Sequence, residues 1–479
     1  MLSTSQQEFQ KLKGEIQRVS TLVMKGMYDI AEDQLTQILT SASQLAKNHQ
    51  TILKVDVLTL KGKIASRKGE INHGIRILCD ALSMAESANY VTGIADIMNN
   101  LGSAQRQLGQ DLELAKEYYR EALEIEGQNQ DNKGIATSLN GLGLVELTLG
   151  AFDEALRQFE ACKDIFQELE DKSGEANALN NIAEIHRVRG ELPIAEKYYT
   201  EALDLFQEAQ DYNGESACLL NLGWIAWGKN CLLIAIRHLR KSLEIMENIK
   251  AGGTNYVETL VALAGVLIDL TDSNSAYKES EALLKKAHDH AQSIDSLSSI
   301  VMCYYFQGYL EQAKGNWARA EKLFLEALAK GKGTNFEYMT KGLLALAEIF
   351  LTRYLNSFEK KYLEEFEKRI NEASVLAQEY KLFVMLCEIY VLKGLYSASI
   401  NSYDQASTFL TQAIILAEEK HLPRQKERAE IEFKNVQKSS RRIKIKTGIL
   451  PDDEALIYVQ NYLEDVTEIL KRRKTIKET

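Results

Sequence analysis

The stretch from Ala178 to Phe206 reads ALNNIAEIHRVRGELPIAEKYYTEALDLF. Its smallest side chains fall at Ala183, Ala195 and Ala202, with Gly190 between the first two, while Leu179, Ile182 and Tyr199 supply bulk at helical spacing. Small residues on a helix face let a second backbone come close, and glycine permits the turn that brings it back. The stretch therefore predicts two helices touching at Ala183 and Ala195 around a turn at Gly190.

The same placement returns along the chain. Ala115, Ala155, Ala195 and Ala235 follow one another at intervals of 40 residues. The turn-to-alanine spacing of Gly190 and Ala195 recurs at Gly26 and Ala31, Gly150 and Ala155, and Gly315 and Ala320. Asn230 and Asn401 take the place of glycine before Ala235 and Ala406. A small residue also precedes each turn by seven positions, at Gly102, Gly143, Ala183 and Gly223. Self-similarity at a fixed period is the mark of a solenoid, in which each helical pair packs only on its neighbours.

The pattern resembles the tetratricopeptide repeat, carried in the fifth unit by Leu179, Ile182, Ala183, Gly190, Ala195, Tyr199 and Ala202. It departs from the usual repeat in length, 40 residues instead of about 34. It also lacks the closing proline, which polar links ending in glycine (DNKG, DKSG, DYNG) replace. This longer form is similar to kinesin light chains and to bacterial Rap-type regulators. The resemblance spans residues 5–420 and is strongest over 91–250. It implies an all-α, right-handed α-solenoid of about ten helical hairpins with C-terminal capping helices. At about 10 Å per hairpin such a rod is roughly 100 Å long. A concave groove lined by the first helix of each unit is expected with it.

Composition agrees with an all-helical chain. Only three prolines occur in 479 residues, Pro193, Pro423 and Pro451, where average usage of about 5% gives about 24. The net charge is −11. Residues 421–479 carry 14 Lys and Arg against 10 Asp and Glu, and the acidic remainder speaks against direct nucleic-acid binding. The six cysteines are scattered through helical patterns without a CxxC and read as reduced core residues of a cytoplasmic protein. The longest apolar run, TLVALAGVLIDL, is too short to span a bilayer, and the N-terminus MLSTSQQEFQKLKGE has no signal-peptide core.

Past residue 420 the repeat ends. Residues 421–440 read as a capping helix, 441–451 as a basic non-helical link, and 452–474 as an amphipathic helix. In that last helix Leu456, Val459, Leu463, Val466 and Leu470 form one apolar stripe. The stripe suits capping the solenoid, docking a partner or second copy, or lying in the chain's own groove.

No catalytic, cofactor or metal constellation is present. KGKGT at Lys330–Thr334 lacks the first glycine of a phosphate loop. His288 and His290 are two apart on a helix and point to different faces. The reading is therefore non-enzymatic, without cofactor or metal.

The groove-facing positions carry the functional expectation. Three residues before the small residue stand Asn99, Asn140 and Asn180. Asparagine is a poor helix-interior residue, and its amide offers both a donor and an acceptor to an extended peptide, to an adjacent helix or to water. Kinesin light chains, which the chain resembles, hold cargo peptides with asparagine here. Arg106 and Arg187 lie one turn past the small residue and suit either acidic ligand groups or a solvated face. Trp224, Trp227, Tyr305 and Tyr309 make an aromatic stretch further along, typical of a binding hot spot or of core between units. The expected function is a scaffold binding a peptide or partner segment in the groove. The alternative is a Rap-like signalling regulator controlled by a bound peptide or partner protein.

Overall fold

The computed structural model describes residues 4–109, 111–270, 274–331 and 336–446, which form twenty-one helices and no strand. Twenty of the helices are ten antiparallel pairs. The first five pairs are α1 (Thr4–Met24) with α2 (Tyr28–Ala42), α3 (Lys47–Arg67) with α4 (Ile71–Ser87), α5 (Val91–Leu108) with α6 (Leu112–Asn129), α7 (Asn132–Thr148) with α8 (Phe152–Glu168), and α9 (Lys172–Val188) with α10 (Leu192–Ala209). The next five are α11 (Tyr212–Gly228) with α12 (Leu232–Asn248), α13 (Thr254–Leu270) with α14 (Asn274–Ser293), α15 (Leu297–Ala313) with α16 (Trp317–Gly331), α17 (Phe336–Ser357) with α18 (Lys360–Glu379), and α19 (Phe383–Ser399) with α20 (Tyr403–Glu419). The last helix, α21 (Pro423–Lys446), packs on α20 and α19 where the first helix of an eleventh pair belongs.

The repeated signals act as the sequence implies. Ala115, Ala155, Ala195 and Ala235 are each fully buried. A Cβ added to Gly223 would lie 2.7 Å from the Leu239 side chain, so only glycine allows α11 and α12 to approach this closely. Asn230 and Asn401 adopt φ of +61°, the left-handed conformation that Gly190 adopts at +76°. The polar links begin the next helix. Asp131, Asp171 and Asp211 are the N-caps of α7, α9 and α11, accepting from the amides of Gly134, Gly174 and Gly214 at 3.0, 3.0 and 3.1 Å.

Two expectations are corrected. The helix that caps the repeats does not stop at residue 440. It runs to Lys446, because Arg441–Lys446 contains good helix formers and the first breaker is Gly448. Cys79 and Cys231 are exposed, and only Cys162, Cys218, Cys303 and Cys387 are core residues.

The larger departure is in the superhelix. The chain does not extend as an open rod. Its second turn lies on its first, with a period of about five pairs. Between the first pair and the two ends of the sixth, Tyr28 Oη donates to Asn213 Oδ1 at 2.9 Å, Asn213 Nδ2 donates to the Met24 carbonyl at 2.7 Å, and Lys250 pairs with Asp29 at 2.8 Å. The turn at Gly69 meets Ile294, the turn at Gly150 meets Tyr380, and the turn at Gly190 meets Leu422. Each contact joins the turn within one pair to the link that follows the pair five units later. The buried Leu422 and Cys387 complete one apolar cluster with Ala183, Ala195, Tyr199 and Leu222 of the fifth and sixth pairs. Helices of 17 residues are about 25 Å long, so two such layers stand about 50 Å high. The first helices of successive pairs contact one another, and Arg187 of α9 meets Glu337 of α17 from the second turn, so the expected open groove is closed.

Candidate functional site

The axis is where the sequence reading placed a site, and its side chains are largely engaged with one another. Asn140 Oδ1 accepts from Asn181 Nδ2 at 2.8 Å, and Asn180 Oδ1 accepts from Asn221 Nδ2 at 3.0 Å. Each asparagine three residues before the small position thus meets one two residues before the small position of the next unit. Asn180 Nδ2 leans on Asn181 Oδ1 at 3.4 Å, linking both pairs into a relay across three units. Asn181 and Asn221 were legible in the sequence as a 40-residue pair, but the reading did not single them out.

Asn99 does not join them, which corrects its assignment to the open groove. The next unit carries Gly141 at the partner position, so no amide is available there, and the Tyr119 ring fills the space. Asn99 is buried instead, donating to Glu126 Oε1 at 2.7 Å, while Ser138 Oγ lies 2.8 Å from its amide oxygen and 2.6 Å from Glu126 Oε2. The hydroxyl has one proton for two acceptors. A protonated Glu126 resolves this by donating to Ser138, which then donates to Asn99. Burial pushes that carboxyl up to about 7 against the hydrogen bonds from Ser138 and Asn99.

Arg106 is half-buried against the hydroxyl of Tyr119. Arg187 points into the axis, held by Glu184 through two bonds of 2.8 and 2.6 Å. Tyr199 also donates to Glu184, at 2.6 Å, and Glu337 of α17 approaches Arg187 at 3.7 Å from the second turn. Glu337 also binds Lys341 at 2.6 Å. Burial alone would raise its carboxyl, but the cations of Lys341 and Arg187 hold it down at about 2.

The aromatic stretch is a continuous stack. Trp224 is half-buried and lies on Trp227 with centroids 5.2 Å apart, and both pack on Phe306. Tyr305 stacks on Tyr309 at 6.4 Å and meets Phe324 and Tyr338. Trp227 is buried and donates through Nε1 to Asp269 Oδ2 at 2.8 Å, and Tyr309 donates to the other oxygen of the same carboxylate. Arg424 of α21 binds Asp269 Oδ2 at 2.9 Å, so the last helix is tied to the axis. Trp227 and Tyr309 therefore join successive pairs, while Trp224 is only partly buried. Leu456, Val459, Leu463, Val466 and Leu470 lie outside the described residues.

A cavity on the sixth to eighth helices lies away from these side chains. It measures about 370 Å³ and is lined by Lys116, Arg120, Leu142, Glu146, Glu154 and Gln158, with Lys116 and Glu146 paired across it. Among the described residues no group of three or more His, Cys, Asp or Glu side chains could hold a metal ion. No described helix is long and apolar enough to cross a membrane.

Many solved structures are similar to this chain, three of which follow. BtubC (BKLC) from P. vanneervenii is 20% identical over 47% of this chain and 92% of its own, with a TM-score of 0.36. Aspartyl phosphate phosphatase F from Bacillus subtilis is 12% identical over 69% and 95%, with a TM-score of 0.47. The Rap conjugation gene regulator of the plasmid pLS20, solved with the Phr* peptide, is 12% identical over 77% and 97%, with a TM-score of 0.49. No curated protein matches the chain. Residues 93–168 and 174–248 match the tetratricopeptide repeat model. These residues form the helical pairs from α5 to α12 whose small residues, turns and caps recur every 40 positions, and the chain accordingly carries tetratricopeptide repeats.

Proposed function

We propose that the chain is a non-enzymatic interaction scaffold that takes an extended peptide or partner segment along the inner face of its first helices. The supporting observation is the asparagine relay from Asn140 to Asn221 running beside the partly open Trp224. Side-chain amides in register match the donors and acceptors of an extended backbone, and an adjacent indole supplies apolar anchoring. The same residues stitch neighbouring units together, so a ligand exchanges its own backbone bonds for theirs. Arg187 and Tyr305 flank this face, and the partner is a protein or peptide.

The second reading is a regulator of the Rap type. It is favoured by the closed coil, since a segment entering the axis must move the two turns against each other and so change the shape presented outside.

The test is capture of a partner from native lysate on the immobilised full chain, followed by calorimetry with that partner. Asn140→Ala with Asn180→Ala should weaken binding by about 1–3 kcal/mol in total. A native melting profile with unchanged affinity would leave the relay as an internal clamp and move the binding surface elsewhere.

A further inference from the structure

Two arginines of α21 reach back to three earlier pairs. Arg424 donates to Asp269 of α13 at 2.9 Å, although Asp269 stands 155 residues earlier in the chain. One turn further along α21, Arg428 pairs with Glu348 of α17 at 3.5 Å and with Glu388 of α19. Glu348, Glu388 and Arg428 follow one another at intervals of 40 residues. The last unit thus carries an arginine at the position where the two units before it carry glutamate. The three carboxylate side chains are each no more than 20% exposed, so their charges are partly withdrawn from water.

These carboxylates are also held by groups outside α21. Asp269 accepts from Trp227 and Tyr309, and Glu348 accepts from Gln312 at 3.3 Å. The acidic face shared by α13, α17 and α19 is therefore built without α21, which supplies two cations to it. Little apolar surface holds α21 itself. Among its described side chains Ala429, Glu432 and Val436 are buried, and Ile431 and Phe433 are half-buried. By contrast α19 buries Met385, Cys387, Ile389, Val391 and Leu392 among others. An element with few buried apolar contacts opens at a lower free energy than the body of the fold. Leu422, buried against the fifth pair, anchors the chain just before α21 and gives it a fixed pivot. When α21 opens, three partly desolvated carboxylates lose both arginines, a costly state that another cation relieves.

We propose that α21 is a displaceable plug, seated in cis where a basic helix of a protein partner docks, a helix with two arginines four residues apart on one face. The proposal rests on the reading that a partner segment lies along the first helices, and it names that segment and what it displaces. In the closed state Arg424 and Arg428 neutralise the face. In the bound state the partner's guanidinium groups replace theirs one for one, and α21 swings away about Leu422.

The experiment follows hydrogen exchange by mass spectrometry on the full chain, in the parent and in Arg424→Gln with Arg428→Gln. Amides of α21 should exchange about tenfold or more faster than those of α19 in the parent, and faster still in the variant, with α19 unchanged. Raising sodium chloride from about 50 to about 500 mM should speed α21 several-fold in the parent, because salt screens the ion pairs, whereas an apolar cap would not respond this way. A labelled peptide of residues 423–446 serves as the docking probe, read by fluorescence anisotropy. It should bind the variant about tenfold more tightly than the parent, and the same peptide with both arginines changed to glutamine should bind neither. Exchange of α21 at the rate of α19 in the parent at both salt concentrations, or no binding of the arginine peptide to a folded variant, overturns the plug. The salt comparison on the parent decides the matter should the variant fail to fold. Capture of a partner that is sensitive to the asparagine changes, but held equally by the parent and the glutamine variant, would sink this inference while leaving the scaffold reading intact.

Discussion

The indole Nε1 of Trp227 donates to the carboxylate of Asp269 at 2.8 Å, and this one bond joins the end of α11 to the end of α13 at the axis. The same carboxylate takes the hydroxyl of Tyr309 and the guanidinium of Arg424, which comes from 155 residues further along the chain. One side chain thus couples the sixth, seventh and eighth pairs to α21.

Asp269→Ala should destabilise the second turn by about 2–4 kcal/mol, because three donors lose one acceptor and a partly buried arginine loses its counter-ion. Asp269→Asn keeps an acceptor and should cost less. Denaturant unfolding followed by tryptophan emission reads both variants. Equal midpoints for the alanine variant and the parent would show that the carboxylate does not tie these helices.

The contact of Leu422 with Gly190 closes the coil. Leu422 is 1% exposed and belongs to the apolar cluster shared by the fifth and tenth pairs. Leu422→Asp places a charge in that cluster and should separate the turns while leaving the local pairs helical. Small-angle scattering should report a larger radius of gyration, with far-ultraviolet dichroism unchanged. An unchanged radius in a folded variant would mean that the turns are held elsewhere.

Glu126 makes stability depend on pH. Its folded-state carboxyl sits at about 7, above the ordinary 4.5. The folded chain therefore holds more protons than the unfolded chain between those values. The contribution is fully present below about pH 4.5 and is lost as pH rises through 7, amounting to roughly 3–4 kcal/mol at about 1.4 kcal/mol per unit. Glu126→Gln keeps a donor for Ser138 without the ionisation. Its melting temperature should match or exceed that of the parent at pH 8 and vary less from pH 5 to pH 8. A steeper profile in the glutamine variant would contradict a protonated Glu126.

Ala195→Arg tests the repeat register. Ala195 is fully buried among Ala183, Tyr199 and Leu222, with Cys387 and Leu422 arriving from the second turn. A long cation there should cost more than ordinary overpacking, which runs to about 1–3 kcal/mol. Thermal melts of variant and parent give the comparison, and coincident melts would refute the placement.

By itself the sequence determined the unit. Gly190 and Asn230 mark turns, Ala183 and Ala195 mark close approaches, and Asp171 and Asp211 start helices, each through an interaction reaching only a few residues or one neighbouring helix. Local geometry of that kind follows from residue type and spacing. Only the tertiary structure decided how the units wind. The rotation from one pair to the next is small and set by side-chain fit at each interface, and over five pairs it decides between an open arc and a closed turn. No spacing in the sequence links Gly26 to Ile249 or Arg187 to Glu337. A repeat specifies its neighbours directly, and its distant contacts only through the sum of every step between them.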